Sequence, residues 1–291
     1  MPNALIPELN GRALTVDIAL KSPTIIRDRI AKLADSQLIL GHLFRGYGTP
    51  VQGGALAYSV LSSADLYTTD IEKRAPGAEY RVVEGVEPEP QLAPVEDWGG
   101  KVVIPVERVI RNDVNYLDQV TTQLSNTIAR KIDTRAVDTL NPANPASIAV
   151  STPWDELVTV GDPTTLTGSQ ALPTAAFAEA QELADLDEMG VVLDKLIVSP
   201  GGARALRTAY GRDLAAVLES AGLTMVSNPR VADGVAYVVQ SGQVGTIAFE
   251  SPLTVDTWED KATRSWVVQA YAVPAFAVDR PYAVKKIVGI S

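Results

Sequence analysis

YTTDIEKRAPGAEYRVVEGVEPEPQLAPVEDWGGK, residues 67–101, decides how the rest of the chain is read. It carries eight acidic side chains against four basic ones, prolines at 76, 88, 90 and 94, and few residues able to fill a core. Structureless stretches of this length are uncommon inside compact domains and are usually functional or disordered. Its flanks have another character: GALAYSVL (54–61) and KVVIPV (101–106) are rich in small and β-branched residues and predict strands. Two strands around a polar tip make an extended hairpin, which is marginal in water when isolated. Something outside this chain is therefore expected to cover the arm.

Behind the arm, residues 112–140 contain neither Pro nor Gly. Val114, Leu117, Val120, Leu124, Ile128, Ile132, Val137 and Leu140 recur at close to helical spacing and draw an apolar stripe down one face. Asn112 or Asp113 is placed to cap the first turn, and Asn141-Pro142 stops the helix. A rod of roughly 40 Å follows from 1.5 Å per residue. The opposite face is assigned Asp118, Gln123, Asn126, Arg130, Asp133 and Asp138.

At 291 residues the chain can bury a sizeable core in one large domain or two smaller ones. Hydrophobic content of 46% and charged content of 21% are ordinary for a globular fold. No apolar run is long enough to span a membrane, and no secretory signal pattern is present. The absence of cysteine excludes disulfides and thiolate sites. A net charge of -10 argues against a clamp on nucleic acid, which needs clustered Lys and Arg. Only the first fifty residues lean basic, with Arg27, Arg29 and Lys32 among them.

The N-terminal segment starts extended and offers a helix start at Ser22-Pro23, while FRGYGTPVQGG (44–54) is a glycine-punctuated turn region. Residues 141–174 hold five prolines and predict a boundary and surface excursion. A compact α/β pattern follows. Thr174 is predicted to cap a helix that Gly190 ends, VVLDKLIVS (191–199) is a strand, and Ser199-Pro200 opens a short helix through Leu206. RDLAAVLES (212–220) predicts another helix, and short strands are expected at 223–226, 235–240 and 244–249. Strands at 253–258, 265–278 and 283–290 close the chain.

Catalytic machinery is missing. His42 is the only histidine and reads as packed or partly exposed. With one His and no Cys, the usual transition-metal sets are excluded. There is no G-x-S-x-G elbow; SPGGARAL (199–206) lacks the phosphate-loop signature, and Gly46 and Gly48 read as turns. Asp185, Asp187 and Glu188 form either a solvated helix end or a hard-cation site, and Glu84, Glu87 and Glu89 are too extended to enclose a pocket. No catalytic, cofactor or metal residue is assigned, and the chain is not expected to be an enzyme.

Taken in order, these pieces resemble the major capsid proteins of tailed bacteriophages with the Hong Kong 97-type fold. The phrases that carry the likeness are IEKRAPGAEYRVVEG (71–85), EDWGGKVVIPVERVIRND (96–113), VLDKLIVSP (192–200) and YAVPAFAVDRPYAVKKIVGI (271–290). The resemblance implies an α+β fold with an N-terminal arm (1–53), an extended hairpin or E-loop (54–106), a peripheral-domain spine helix (107–145), an axial α/β domain (146–245) and peripheral return strands (246–291). It implies pentamers and hexamers of the chain in a closed icosahedral shell around double-stranded DNA, held without sequence-specific contacts. A separate scaffolding protein, a portal and a decoration protein are the implied partners, the last with 141–174 as its candidate contact. The start at Met1 with a short arm resembles members that use such a scaffold. The implied site is the virion capsid, after assembly in the host bacterial cytoplasm. An encapsulin-type nanocompartment shell is the alternative, and a hydrolase built on the α/β segment is a third reading. Some members link a hairpin lysine to a peripheral-domain asparagine. Lys73 is present, but no asparagine follows Asn228, so no such bond to the closing strands is expected.

Overall fold

The computed structural model describes residues 8–9, 12–13, 16–22, 24, 26–28, 39–60, 65, 71–85, 88–111 and 114–291. The strands among them are β1 (Glu8–Leu9), β2 (Arg12–Ala13), β3 (Phe44–Gly46), β4 (Ala55–Ser59), β5 (Pro90–Pro94), β6 (Trp98–Pro105), β7 (Ser147–Ala149), β8 (Lys195–Val198), β9 (Thr224–Ser227), β10 (Val235–Val239), β11 (Gly245–Asp260), β12 (Ser265–Ala277) and β13 (Val284–Val288).

The Gly- and Pro-free stretch forms a helix over Val114–Asp138. Its stripe is buried at Leu117, Val120, Leu124, Ile128, Ile132 and Val137, and Leu140 is buried just beyond the helix end. Burial of each such large side chain stabilises the fold by about 1.5–3 kcal/mol. The helix lies across β6, with Leu124 against Gly100. Thr121, buried on this helix, donates its hydroxyl to the Leu117 carbonyl, which satisfies the group without a partner outside the helix. The predicted caps, Asn112 and Asp113, lie outside the described residues. Asp133 departs from its assigned polar face: only 4% of it is exposed.

Two main sheets share one contiguous apolar core. The four-stranded sheet runs β3-β11-β12-β6, and the five-stranded sheet runs β7-β13-β10-β8-β9. The segments 244–249 and 253–258, expected as separate strands, are one strand, β11. Register shifts between Phe249 and Ser251 and between Ser251 and Thr254 absorb Pro252, which cannot donate to a ladder. Gly245 is where β3, β11 and β12 meet. A Cβ there would lie 2.4 Å from the Ala277 carbonyl oxygen and 2.7 Å from the Phe44 ring.

Three further expectations are corrected. KVVIPV is not the partner of 54–61: β6 pairs antiparallel with β12, while β4 pairs with β5. Prolines at both ends of β5 hide it from sequence patterning, yet suit an edge strand that needs few donors. The closing strand β13 is not a return strand of the four-stranded sheet. It lies between β7 and β10, where Val284, Lys285 and Ile287 are buried. Finally, 141–174 is only partly an excursion, because β7 joins the sheet and Trp154 is buried edge-on to Phe177.

Local chemistry in the α/β part follows the sequence with small shifts. The helix Pro173–Leu186 begins on Pro173 itself, with Leu172 rather than Thr174 at the cap position. Ser199 caps the helix Pro200–Tyr210 by accepting from the Gly202 amide at 3.1 Å, and that helix continues past Leu206.

Candidate functional site

The arm leaves the body on the β4–β5 ladder, in register from Ala55 opposite Pro94 to Ser59 opposite Pro90. Its root is a small cluster of Val51, Leu56, Ala93, Ala248, Ala275 and Ala277, with Tyr58 and Val95 against it. The alanines let the hairpin sit close on β11 and β12. Beyond the root every residue from 71 to 85 is exposed, including Ile71 (78%), Tyr80 (72%) and Val82 (86%). Within this tip Arg74 stacks 4.5 Å from the Tyr80 ring centre and donates to the Ala78 carbonyl, and Arg81 pairs with Glu72 at 2.8 Å. Such exposed pairs shape a loop but add little stability.

Polar ties hold the root in place. Glu96 is gripped by Arg135 of the long helix: Nε donates to both carboxylate oxygens at 2.8 Å, and Nη2 to Oε1 at 2.6 Å. The Glu96 carboxylate bonded to it raises Arg135 above the ordinary arginine value. Trp98 Nε1 donates to the same carboxylate at 3.1 Å, and the Glu96 amide donates to the Pro274 carbonyl at 2.9 Å. On the other side Arg45 Nη2 donates to Asp279 Oδ2 at 2.5 Å, and Thr246 bonds the same oxygen at 3.2 Å. Tyr58, at the edge of that cleft, is pushed up by burial and by the Asp279 charge. The hairpin base is thus pinned to helix and sheet, while residues 71–85 of its tip are all exposed.

The residues weighed for chemistry do not assemble. His42 is half-buried on the short helix Leu40–Leu43, with its amide donating to Ile39 O. Gly46 ends β3, and Gly48 takes a left-handed turn at φ +81. Asp185 accepts from Gln181, whereas Asp187 accepts from Lys285 Nζ at 2.6 Å. Among the described residues no group of three or more His, Cys, Asp or Glu side chains is placed to hold a metal ion. Glu84, Glu89 and Lys73 are exposed on the arm, and Glu87 lies outside the described residues. No described helix is long and apolar enough to cross a membrane. Sequence reading missed the Glu96–Arg135, Arg45–Asp279 and Lys285–Asp187 pairs, whose members stand 39, 234 and 98 residues apart and leave no local signal.

The described residues thus form a packed body from which a polar, solvent-exposed arm projects, an arrangement suited to a structural subunit. Comparison with known proteins agrees. Residues 87–287 match the family described as phage capsid protein, and this chain belongs to that family. No curated protein matches it. Among solved structures it is similar to the virus-like particle from Pyrococcus furiosus, at 14% identity over 90% of this chain and 97% of that one, with a TM-score of 0.62. It is similar to the capsid of cyanophage P-SCSP1u at 13% identity, covering 85% and 86% of the two chains with a TM-score of 0.62. A chain of Mycobacterium phage Che8 matches at 14% identity over 99% and 98%, with a TM-score of 0.54. The chain is a capsid shell protein that assembles with copies of itself, a structural component of the virion.

Proposed function

We propose that this chain builds a closed icosahedral shell of pentamers and hexamers around double-stranded DNA, with the hairpin arm and the N-terminal segment reaching across neighbouring copies. The exposure of the whole tip 71–85, with Ile71, Tyr80 and Val82 bare to solvent, carries this reading. A tip with no core behind it gains stability when laid on another subunit, and contacts of this head-to-tail kind either close or run on. Several such interfaces per subunit together exceed a standard pairwise contact of about 1,600 Å². The net charge of -10 suits a wall that does not grip its DNA.

In this layout the long helix and four-stranded sheet form the peripheral domain. The five-stranded sheet, with β13 included, forms the axial domain. A separate scaffolding protein, a portal and a decoration protein meeting 141–174 are the partners, and assembly takes place in the host bacterial cytoplasm. The test replaces 71–85 by a short Gly-Ser turn. Sedimentation and negative-stain images are expected to show shells for the parent chain and only small, folded species for the variant. Shells of unchanged size from the variant would overturn the role of the arm.

A further inference from the structure

The α/β part carries opposite charges on two separate faces. The helix Pro173–Leu186 holds Glu179, Glu182 and Asp185 and no basic residue, whereas the helix Pro200–Tyr210 holds Arg204 and Arg207 and no acidic one. Arg212 extends the second set just beyond its helix. All of these side chains are exposed. The helices sit toward different ends of the five-stranded sheet: the acidic one packs on β7 and β13, the basic one on β8 and β9.

Within one chain the two sets do not pair. Among the described residues no ion pair engages Glu179, Glu182, Arg204, Arg207 or Arg212, and Asp155, which shares a cleft with Arg204, is not bonded to it. Asp185 accepts from the neutral Gln181. The acidic face also bears apolar surface. Leu186 is 70% exposed, and Val192, in the segment that Gln181 ties to the helix, is 65% exposed. Leu186 further lines an open groove of about 600 Å³ with Phe177, Ala178, Gln181 and Ala221. Exposed ion pairs alone contribute little. Arginine suits a mixed surface of this kind, because its aliphatic stem covers apolar atoms while its guanidinium reaches a carboxylate.

We propose that the face of Glu179, Glu182, Asp185 and Leu186 on one copy receives the Arg204, Arg207 and Arg212 face of a second copy. Both halves of the contact are present on this chain, and each is the charge complement of the other. Because they stand toward different ends of the sheet, the contact is head-to-tail. It leaves one face free on each copy of a pair, so it repeats, and it closes into a ring where the rotation allows. This rests on the shell reading and names one contact within it.

The test measures self-association of the purified full chain by sedimentation velocity and negative-stain imaging. Arg204→Glu/Arg207→Glu makes both faces acidic, and Glu179→Lys/Glu182→Lys makes both basic. Each is expected to weaken association by at least about tenfold, since like charges then oppose each other across the contact. Arg204→Gln/Arg207→Gln, which only removes charge, is expected to lose less. The fourfold variant, with both faces reversed, is expected to regain association, and so is an equal mixture of the two reversed variants. That recovery shows that the variants are folded, and a general loss of stability would not produce it. Reversed variants that assemble as the parent chain does would overturn this contact while the shell reading stands, as would a fourfold variant and a mixture that both fail to recover. A parent chain that stays single at every concentration would overturn both.

Discussion

Removing the Asp187 carboxylate strands the most deeply buried cation of the described chain. Lys285 lies on β13, between β7 and β10 in the five-stranded sheet, with 2% of its side chain exposed, and donates to Asp187 at 2.6 Å. Asp187 sits at the C-cap of the helix Pro173–Leu186, and its side chain is 42% exposed. Breaking a buried pair from one side costs about 3–5 kcal/mol. The wet carboxylate places this pair toward the lower end.

Asp187→Ala is therefore expected to lose about 3 kcal/mol. Lys285→Met keeps the volume and removes the charge, so it is expected to stay within about 1 kcal/mol of the parent chain. The double variant should recover most of the loss. Urea unfolding of unassembled subunits measures all three. A deficit under 1 kcal/mol at pH 7, or an equal loss in Lys285→Met, would refute the reasoning.

Two other outcomes are expected. Glu96→Gln should cost about 1–2 kcal/mol by removing the charge from a three-bond Arg135 grip, and a double-mutant cycle with Arg135→Ala should show coupling of about 1 kcal/mol. Particles boiled in SDS should run as single chains, because the closing strands hold no asparagine for Lys73, and covalent ladders would refute this.

Much of the architecture is legible in local spacing. The apolar stripe and the absence of Pro and Gly specify the long helix, since both act within a few residues. Ser199-Pro200 announces its helix for the same reason, by a bond only three residues long. The arm is legible too, because a proline-rich acidic stretch cannot bury enough apolar surface to order itself. Asp133 had a usable signal: it stands four residues after buried Ala129 and four before buried Val137, in the row that faces the core.

Strand partners were decided only by the tertiary structure. β6 and β4 both read as strands, yet one joins β12 and the other closes on the proline-bounded β5. β13 alternates much as β12 does, but belongs to the other sheet. A strand's own residues specify its period and its buried face. Which edge it meets depends on where distant segments leave unpaired backbone groups, and that exists only once the chain has folded. The same holds for Lys285 and Asp133, whose charges are ordinary in sequence and costly only where packing removes their water.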